Sequence, residues 1–249
     1  MKVVVLGASK GIGRAIARAL AAQGAELYLL GRDQADLALS AADLEQRGLA
    51  KHKVQFGFCD LEEPEGERGF HNAIVEADRA LSGLDTVVVT AGLFAEQSKL
   101  ENDLEFTRRM LTVNFTNTVL FCEHARQRLI AHGGGTLCVV SSVAGERGRK
   151  PVVLYGASKA GLSAYLEALD HKYHEVGLRV VTVKPGFVKT SMTDGLKPPP
   201  FAGEPEQVAR DVVRAIQRGT PVLYTPRIWA LVMLVIRLLP RFVMRKLGF

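Results

Sequence analysis

A hydroxyl, a phenol and an amine lie within one short stretch of this chain: Ser142, Tyr155 and Lys159. Tyr155 and Lys159 are four positions apart, so a helix opening at Tyr155 puts both side chains on one face, one turn apart. A free phenol has a pKa of about 10 and is a poor base near neutrality, but a neighbouring ammonium favours its ionised form. Ser142 stands thirteen positions before Tyr155, at the end of the apolar run Thr136 to Ser141, which reads as a buried strand. A strand end and a helix start can face one pocket, and these groups suit proton transfer at a substrate oxygen.

The elements that must position them follow a regular alternation. Lys2 to Leu6, Ala25 to Leu30, Val54 to Phe58, Thr86 to Val89, Leu137 to Val140, Val180 to Lys184 and Pro221 to Tyr224 read as strands. Helical patterns fill the gaps: Gly11 to Gln23, Gln34 to Gln46, Glu67 to Leu81, Leu100 to Ala131 with a break, Tyr155 to Val176 and Glu206 to Arg218. Parallel strands need crossover helices, so the alternation predicts an α/β fold: a doubly wound parallel sheet of about seven strands in three layers. Residues 1–226 read as one domain and 227–249 as a basic, apolar tail. The run from Pro198 to Pro205 is expected to be a loop over the site, because strands needed for the sheet lie on both sides of it.

Gly7-Ala-Ser-Lys-Gly-Ile-Gly13 follows the first strand and opens the first helix. Glycines there let the chain turn tightly and let backbone N–H groups approach a phosphate at the positive end of the helix. An ordinary strand-to-helix turn is the alternative. Lys10 and Arg32 favour NADP(H) over NAD(H), since a 2′-phosphate wants cations where a free ribose would want an acid; Asp33, next to Arg32, argues the other way. Asp60, after the third strand, is placed either to accept from an adenine amino group or to cap a helix.

Composition excludes several classes. With 47% hydrophobic and 23% charged residues the chain is globular rather than disordered. The apolar start is too short for a signal peptide, so a cytoplasmic location is expected. Cys59, Cys122 and Cys138 have no paired spacing and read as buried thiols. His171 and His174 lack further ligands, so a solvated helix face is expected there and no metal. The formal charge of +6 is concentrated at the end: no acidic residue follows Asp211, while Arg214, Arg218, Arg227, Arg237, Arg241, Arg245 and Lys246 do. These cations alternate with aliphatic runs, not with stacking aromatics, which argues against nucleic acid.

Taken together these residues resemble the short-chain dehydrogenase/reductase family: Gly7 to Gly13, Asp60, Ala91-Gly92, Asn114, Ser142, Tyr155 with Lys159, and Pro185-Gly186 with Thr190. The resemblance implies a Rossmann-like domain, a homodimer or homotetramer, and hydride transfer between a nicotinamide and a carbonyl or alcohol. It implies that Tyr155 donates the proton, Ser142 binds the same oxygen, Lys159 holds the ribose and favours tyrosinate, and Asn114 positions a water. It further implies cofactor contacts from Gly7, Ser9, Lys10, Gly11, Ile12, Gly13, Arg32, Asp60, Leu61, Ala91, Gly92, Tyr155, Lys159, Pro185, Gly186, Val188 and Thr190. Leu6 and Thr90 depart from the family's usual Thr and Asn, at positions that support the loop and the fourth strand. Ser141 to Arg147, Tyr155 to Leu162, Pro185 to Met192 and Pro240 to Leu247 resemble the decaprenylphosphoryl-2-keto-ribose (keto-erythro-pentose) reductases, which implies a lipid-linked keto-sugar substrate.

The tail carries an apolar run of nine, Ile228 to Ile236, about 14 Å long as a helix and too short to span a bilayer. With its arginines it suits the inner face of a membrane; packing on its own domain or on a partner subunit is the alternative. Glu146, Arg147, Arg149 and Lys150 lie between Ser142 and Tyr155, where Arg147 or Lys150 could meet a substrate phosphate and a solvated loop is the default. Two other functions remain open: a soluble 3-oxoacyl or general carbonyl reductase, and a dinucleotide-sensing module without turnover.

Overall fold

The computed structural model describes residues 1–62 and 66–248; residues 63–65 and Phe249, the last of the tail, lie outside the described residues. The chain runs β1 (Lys2–Leu6), α1 (Gly11–Ala21), β2 (Glu26–Gly31), α2 (Gln34–Gln46), β3 (Gln55–Phe58), α3 (Gly66–Leu81) and β4 (Thr86–Val89). It continues through α4 (Gln97–Asn102), α5 (Leu104–Leu111), α6 (Thr118–Ala131), β5 (Gly135–Val140), α7 (Val153–Tyr173), β6 (Leu178–Pro185), α8 (Pro205–Arg218), β7 (Val222–Thr225), α9 (Ile228–Leu238) and α10 (Arg241–Lys246).

All seven strands form one parallel sheet in the order β3-β2-β1-β4-β5-β6-β7, a Rossmann-like α/β fold. Side-chain alternation in β1 explains the layers. Val3 and Val5 pack with Ile16 and Leu20 of α1 and Val212 of α8, whereas Val4 and Leu6 pack with Phe70, Phe121 and Leu162 of α3, α6 and α7. Both faces are buried, so the strands read as continuous apolar runs. After β3 the chain crosses back to the far side of β1, which opens a crevice at the carboxyl ends of β1 and β4.

Two local departures position the site. The break expected between Leu100 and Ala131 falls at Asp103, whose carboxylate accepts from Phe106 N at 2.9 Å and so starts α5. A π turn, Thr112–Asn117, then separates α5 from α6, a distortion that often marks functional positions. Helix α7 begins at Val153, so Tyr155 lies within its first turn.

Pro240 separates α9 from α10. Met233 and Ile236 of α9 are buried against Val143, Tyr224, Trp229 and Met244, so one face of the tail packs on the body of the chain. The other face, with Leu231, Leu234, Val235 and Leu238, stays exposed, as does Phe242 of α10. No helix among the described residues is long and apolar enough to cross a membrane.

Candidate active site

The offset between Ser142 and Tyr155 is set by close backbone packing. Ser142 ends the β5 segment in extended conformation, and its Oγ accepts from Ala144 N at 3.1 Å, starting a short 3-10 turn over Val143–Gly145. A Cβ on Gly145 would lie 2.6 Å from Ala160 N, so only glycine lets this turn rest against α7. Ser141 Oγ donates to the Lys159 carbonyl at 3.0 Å and fastens strand to helix from the other side. Ser142 and Tyr155 thereby line one cavity, with the Tyr155 ring edge-on to Phe94 at 5.1 Å. Lys159, one turn on, is only 4% exposed and its Nζ donates to the Val140 carbonyl at 3.1 Å.

Burial, not the neighbouring ammonium, decides the charge of the phenol. Tyr155 is pushed up to about 12 by burial, against a smaller downward pull from the Ser142 hydroxyl. Lys159 is pushed down to about 8 by the same desolvation, and its Nζ stands 6.0 Å from the Tyr155 ring centre. Both shifts run against the expected bias toward tyrosinate. At neutral pH this phenol keeps its proton.

Asn114 sits on the π turn, fully buried. Its Oδ1 accepts from Leu93 N at 2.7 Å and its Nδ2 donates to Leu93 O at 2.8 Å, so it pins the segment after β4. A Cβ on Gly92 would lie 3.2 Å from Asn114 Oδ1 and 3.7 Å from Lys159 Nζ, so the three groups converge on one corner.

A cavity of about 930 Å³ runs from the glycine loop to Tyr155 and on to the tail. Sixteen of the seventeen expected cofactor contacts line it: Gly7, Ser9, Lys10, Gly11, Ile12, Gly13, Arg32, Asp60, Leu61, Ala91, Gly92, Tyr155, Lys159, Pro185, Gly186 and Val188. Thr190 does not. Its backbone N–H donates to Thr193 Oγ1 at 3.0 Å in the turn Ser191–Thr193 and its methyl side faces Gly11, while Ser191, Met192 and Thr193 take the wall instead. Thr90, the unusual residue at the end of β4, does the supporting work its position calls for: its Oγ1 donates to Leu6 O at 3.0 Å and Gly7 O at 3.1 Å.

The two cations expected at a 2′-phosphate already face carboxylates: Lys10 is 2.7 Å from Asp36 and Arg32 is 3.0 Å from Glu62. Asp33 caps α2 by accepting from Asp36 N at 3.0 Å, so its carboxylate is engaged locally. Asp60 accepts from Glu62 N at 2.8 Å, a local turn and not the expected helix cap, since α3 begins at Gly66.

At the far end the wall comes from residues that spacing did not reveal. Pro199, Pro200 and Phe201 of the expected loop line the cavity with Met192, Leu196, Trp229, Val232 and Ile236. Trp229, the single tryptophan, lies so close over Gly186 that a Cβ there would be 2.0 Å from its Nε1, which donates to Phe201 O at 3.3 Å. Arg147 and Lys150, the two cations considered for a substrate phosphate, instead hold the tail: Arg147 donates to Leu239 O at 2.9 Å and Lys150 to Arg245 O at 2.7 Å. Glu146 anchors the same tail through Arg237 at 3.1 Å, and binds Lys184 and the Tyr224 hydroxyl. Arg149, between them, lines the cavity.

A family model described as short chain dehydrogenase matches residues 1–199. The chain belongs to that family. It is 35% identical over 249 residues to an uncharacterized oxidoreductase of Mycobacterium tuberculosis, covering 98% of this chain and 96% of the relative. It is 30% identical over 217 residues to carbonyl reductase family member 4 of Xenopus tropicalis, covering 84% and 88%. Among solved structures it is similar to a short-chain type dehydrogenase/reductase from Mycobacterium ulcerans, with a TM-score of 0.81 at 23% identity, over 90% of this chain and 87% of that one.

Short chain dehydrogenases use NAD(P), and the residues present here fit it. The start of α1 has no side-chain cap, which leaves backbone N–H groups free at the positive end of the helix for a pyrophosphate. Gly7 and Gly11 adopt positive φ of 89° and 54°, and a Cβ on Gly13 would lie 2.1 Å from Gly7 O, so the loop can close only with glycine. The three cysteines are buried, and burial pushes the Cys59 thiol up to about 12.

Proposed function

We propose that this short chain dehydrogenase is an NADP(H)-dependent reductase that converts a ketone to a secondary alcohol on an amphipathic substrate, with a lipid-linked keto-sugar of the 2-keto-pentose type as the leading class. One observation carries this: Ser142, Tyr155 and Lys159 line a single cavity whose wall also includes the glycine loop and the apolar residues of the tail. The dinucleotide, when bound, would supply the hydride. Tyr155 donates its proton to the carbonyl oxygen, and Ser142 steadies the same oxygen with a hydrogen bond. Lys159 would hold the nicotinamide ribose and return a proton to Tyr155. Asn114 acts as a positioning residue, keeping Leu93 and hence Ala91-Gly92 in place.

NADP(H) over NAD(H) is supported by Lys10 and Arg32 at the cavity, which a 2′-phosphate would draw from Asp36 and Glu62, and by the engagement of Asp33 Oδ1 in its cap. An amphipathic substrate is supported by the apolar wall of Leu196, Phe201, Trp229 and Ile236. The exposed Leu231, Leu238 and Phe242, beside the arginines of the tail, support contact with the inner face of a membrane. The likeness to carbonyl reductase family member 4 favours a second reading, a general carbonyl reductase without lipid selectivity.

NADPH oxidation against ketones of increasing chain length tests these together. Tyr155→Phe should lower turnover by about 10²–10⁴-fold with NADPH binding kept. Turnover that ignores chain length would favour the general reductase; no turnover at all, with equal NADPH binding by both proteins, would leave a dinucleotide sensor. The donor phenol stays protonated across the neutral range, so Lys159, near 8, is the group expected to set the alkaline limb. Reduction should fall by up to about tenfold per pH unit above it, as Lys159 loses its proton.

A further inference from the structure

Four cations among the described residues line the cavity: Lys10, Arg32, Arg149 and Lys159. Three have partners. Lys10 faces Asp36, Arg32 faces Glu62 and Lys159 donates to the Val140 carbonyl. Arg149 pairs with no carboxylate among the described residues, and its Nε is buried without a hydrogen-bond partner. Burial draws its pKa below the ordinary arginine value with nothing opposing the shift. A half-buried, unpaired guanidinium costs stability, so folding alone does not account for it. An anionic ligand in the cavity would.

The sheet order separates that ligand from the phosphates of a dinucleotide. Arg149 belongs to the segment after β5, three strand positions from β2, whose end carries Arg32, and two from β1, whose end carries the glycine loop. At about 4.8 Å per strand the end of β5 lies roughly 14 and 10 Å along the sheet from those two strand ends. Arg149 instead shares its wall with Val152 and Tyr155, and its neighbours Arg147 and Lys150 hold the tail that closes the apolar end.

We propose that Arg149 reads an oxyanion, phosphate or carboxylate, carried by the substrate beyond its ketone, so that the enzyme selects acidic ketones over neutral ones of the same size. A guanidinium offers two parallel N–H donors to such a group, which fixes its position as well as its charge. The proposal rests on the reductase function above, and its test separates the two.

The full-length protein is used, with NADPH for turnover and NADP⁺ for binding. First, kcat/KM is compared for a long-chain keto acid and its methyl ester in wild type, Arg149→Met and Arg149→Lys. Wild type should favour the acid by about tenfold or more. Arg149→Met should lose that preference through a raised KM, and Arg149→Lys should restore part of it. No preference in a wild type that turns over both ketones, or an equal ratio in wild type and Arg149→Met, overturns the proposal.

Second, the Tm is read on adding dodecyl phosphate, dodecanoate or dodecanol. A rise with either anion that is absent in Arg149→Met supports the site, and the stronger of the two names the oxyanion. No rise with either anion in wild type, or the same rise in both proteins, removes it. A protein that reduces no ketone yet binds these anions through Arg149 loses the reductase function and keeps the anion site. Without ligand, Arg149→Met should melt no lower than wild type, because the change deletes an unpaired charge and keeps an apolar stem; a lower Tm would assign Arg149 a structural role instead.

Discussion

The two ends of the cavity are built from opposite kinds of contact. Around the glycine loop the walls are backbone: Gly7 and Gly13 approach so closely that added Cβ atoms would lie 2.7 Å from Ala91 N and 2.1 Å from Gly7 O, and Asn114 is bonded at both ends of its amide. Around the tail the wall is made of side chains, Phe201, Trp229, Val232 and Ile236, held by a handful of polar ties from Glu146, Arg147 and Lys150. A backbone wall has one shape. A side-chain wall can be changed without disturbing the chemistry beside it, which suits the end where substrates differ.

The largest effect should come from the rigid end. Gly13→Ala puts a Cβ 2.1 Å from Gly7 O and 2.4 Å from Thr90 Oγ1, so the loop must move away from β4. Dinucleotide binding, followed by calorimetry, should be lost along with turnover, with a destabilisation of about 1–3 kcal/mol from overpacking. Wild-type binding in this variant would mean that the loop is not the rigid wall described.

Glu146→Gln probes the other end and should do less to the chemistry. The Glu146 carboxylate is buried, and burial raises its pKa, but the Lys184, Arg237 and Tyr224 hydrogen bonds outweigh that and hold it below the ordinary value. A depressed carboxylate contributes stability above its unfolded pKa, near 4.5, and that contribution disappears as pH falls through the lower folded value. At neutral pH the substitution leaves Lys184 without its buried partner and should cost about 3 kcal/mol. The gap between variant and wild type should shrink in melts below pH 4.5. Small ketones should keep most of their kcat, whereas long-chain ketones should show a raised KM as α9 loosens. Equal losses for both would place Glu146 with the rigid wall.

How much of this could be read from residue order follows the same division. The seven strands, the glycine loop and the placement of Ser142, Tyr155 and Lys159 depend on local spacing, which the chain displays directly. The direction of the Tyr155 shift does not, because spacing brings an ammonium close but says nothing of the burial that outweighs it. The motif points Thr190 at the cofactor, yet its backbone is tied into a turn three residues long by the Thr193 hydroxyl. Arg147, Arg149 and Lys150 look alike in sequence. Only the tertiary position of the tail carbonyls separates the two that hold them from the one that faces the cavity. The tail was legible as a helix but not by face, since an apolar run without periodicity has no preferred side.

That missing preference is the basis of the smallest predicted effect. Leu238 and Phe242 are 76% and 66% exposed, on the outer side of a helix pair whose inner side closes the cavity. Deleting residues 227–249 would remove Trp229, Val232 and Ile236 from the wall, so it cannot separate membrane contact from substrate binding. Changing Leu238 and Phe242 to Ser can. Each exposed change should alter stability by no more than about 0.5 kcal/mol and leave turnover of a small ketone as it is in wild type. Cosedimentation with phosphatidylglycerol-containing vesicles should weaken, since apolar insertion is lost while Arg241, Arg245 and Lys246 keep their attraction, about 1 kcal/mol each near an anionic surface. Binding that survives the double change but vanishes in high salt would make the contact electrostatic only. No vesicle binding by wild type would return the outer face to solvent or to another protein surface, and the two ends of the cavity would then differ in how they are built but not in what they meet.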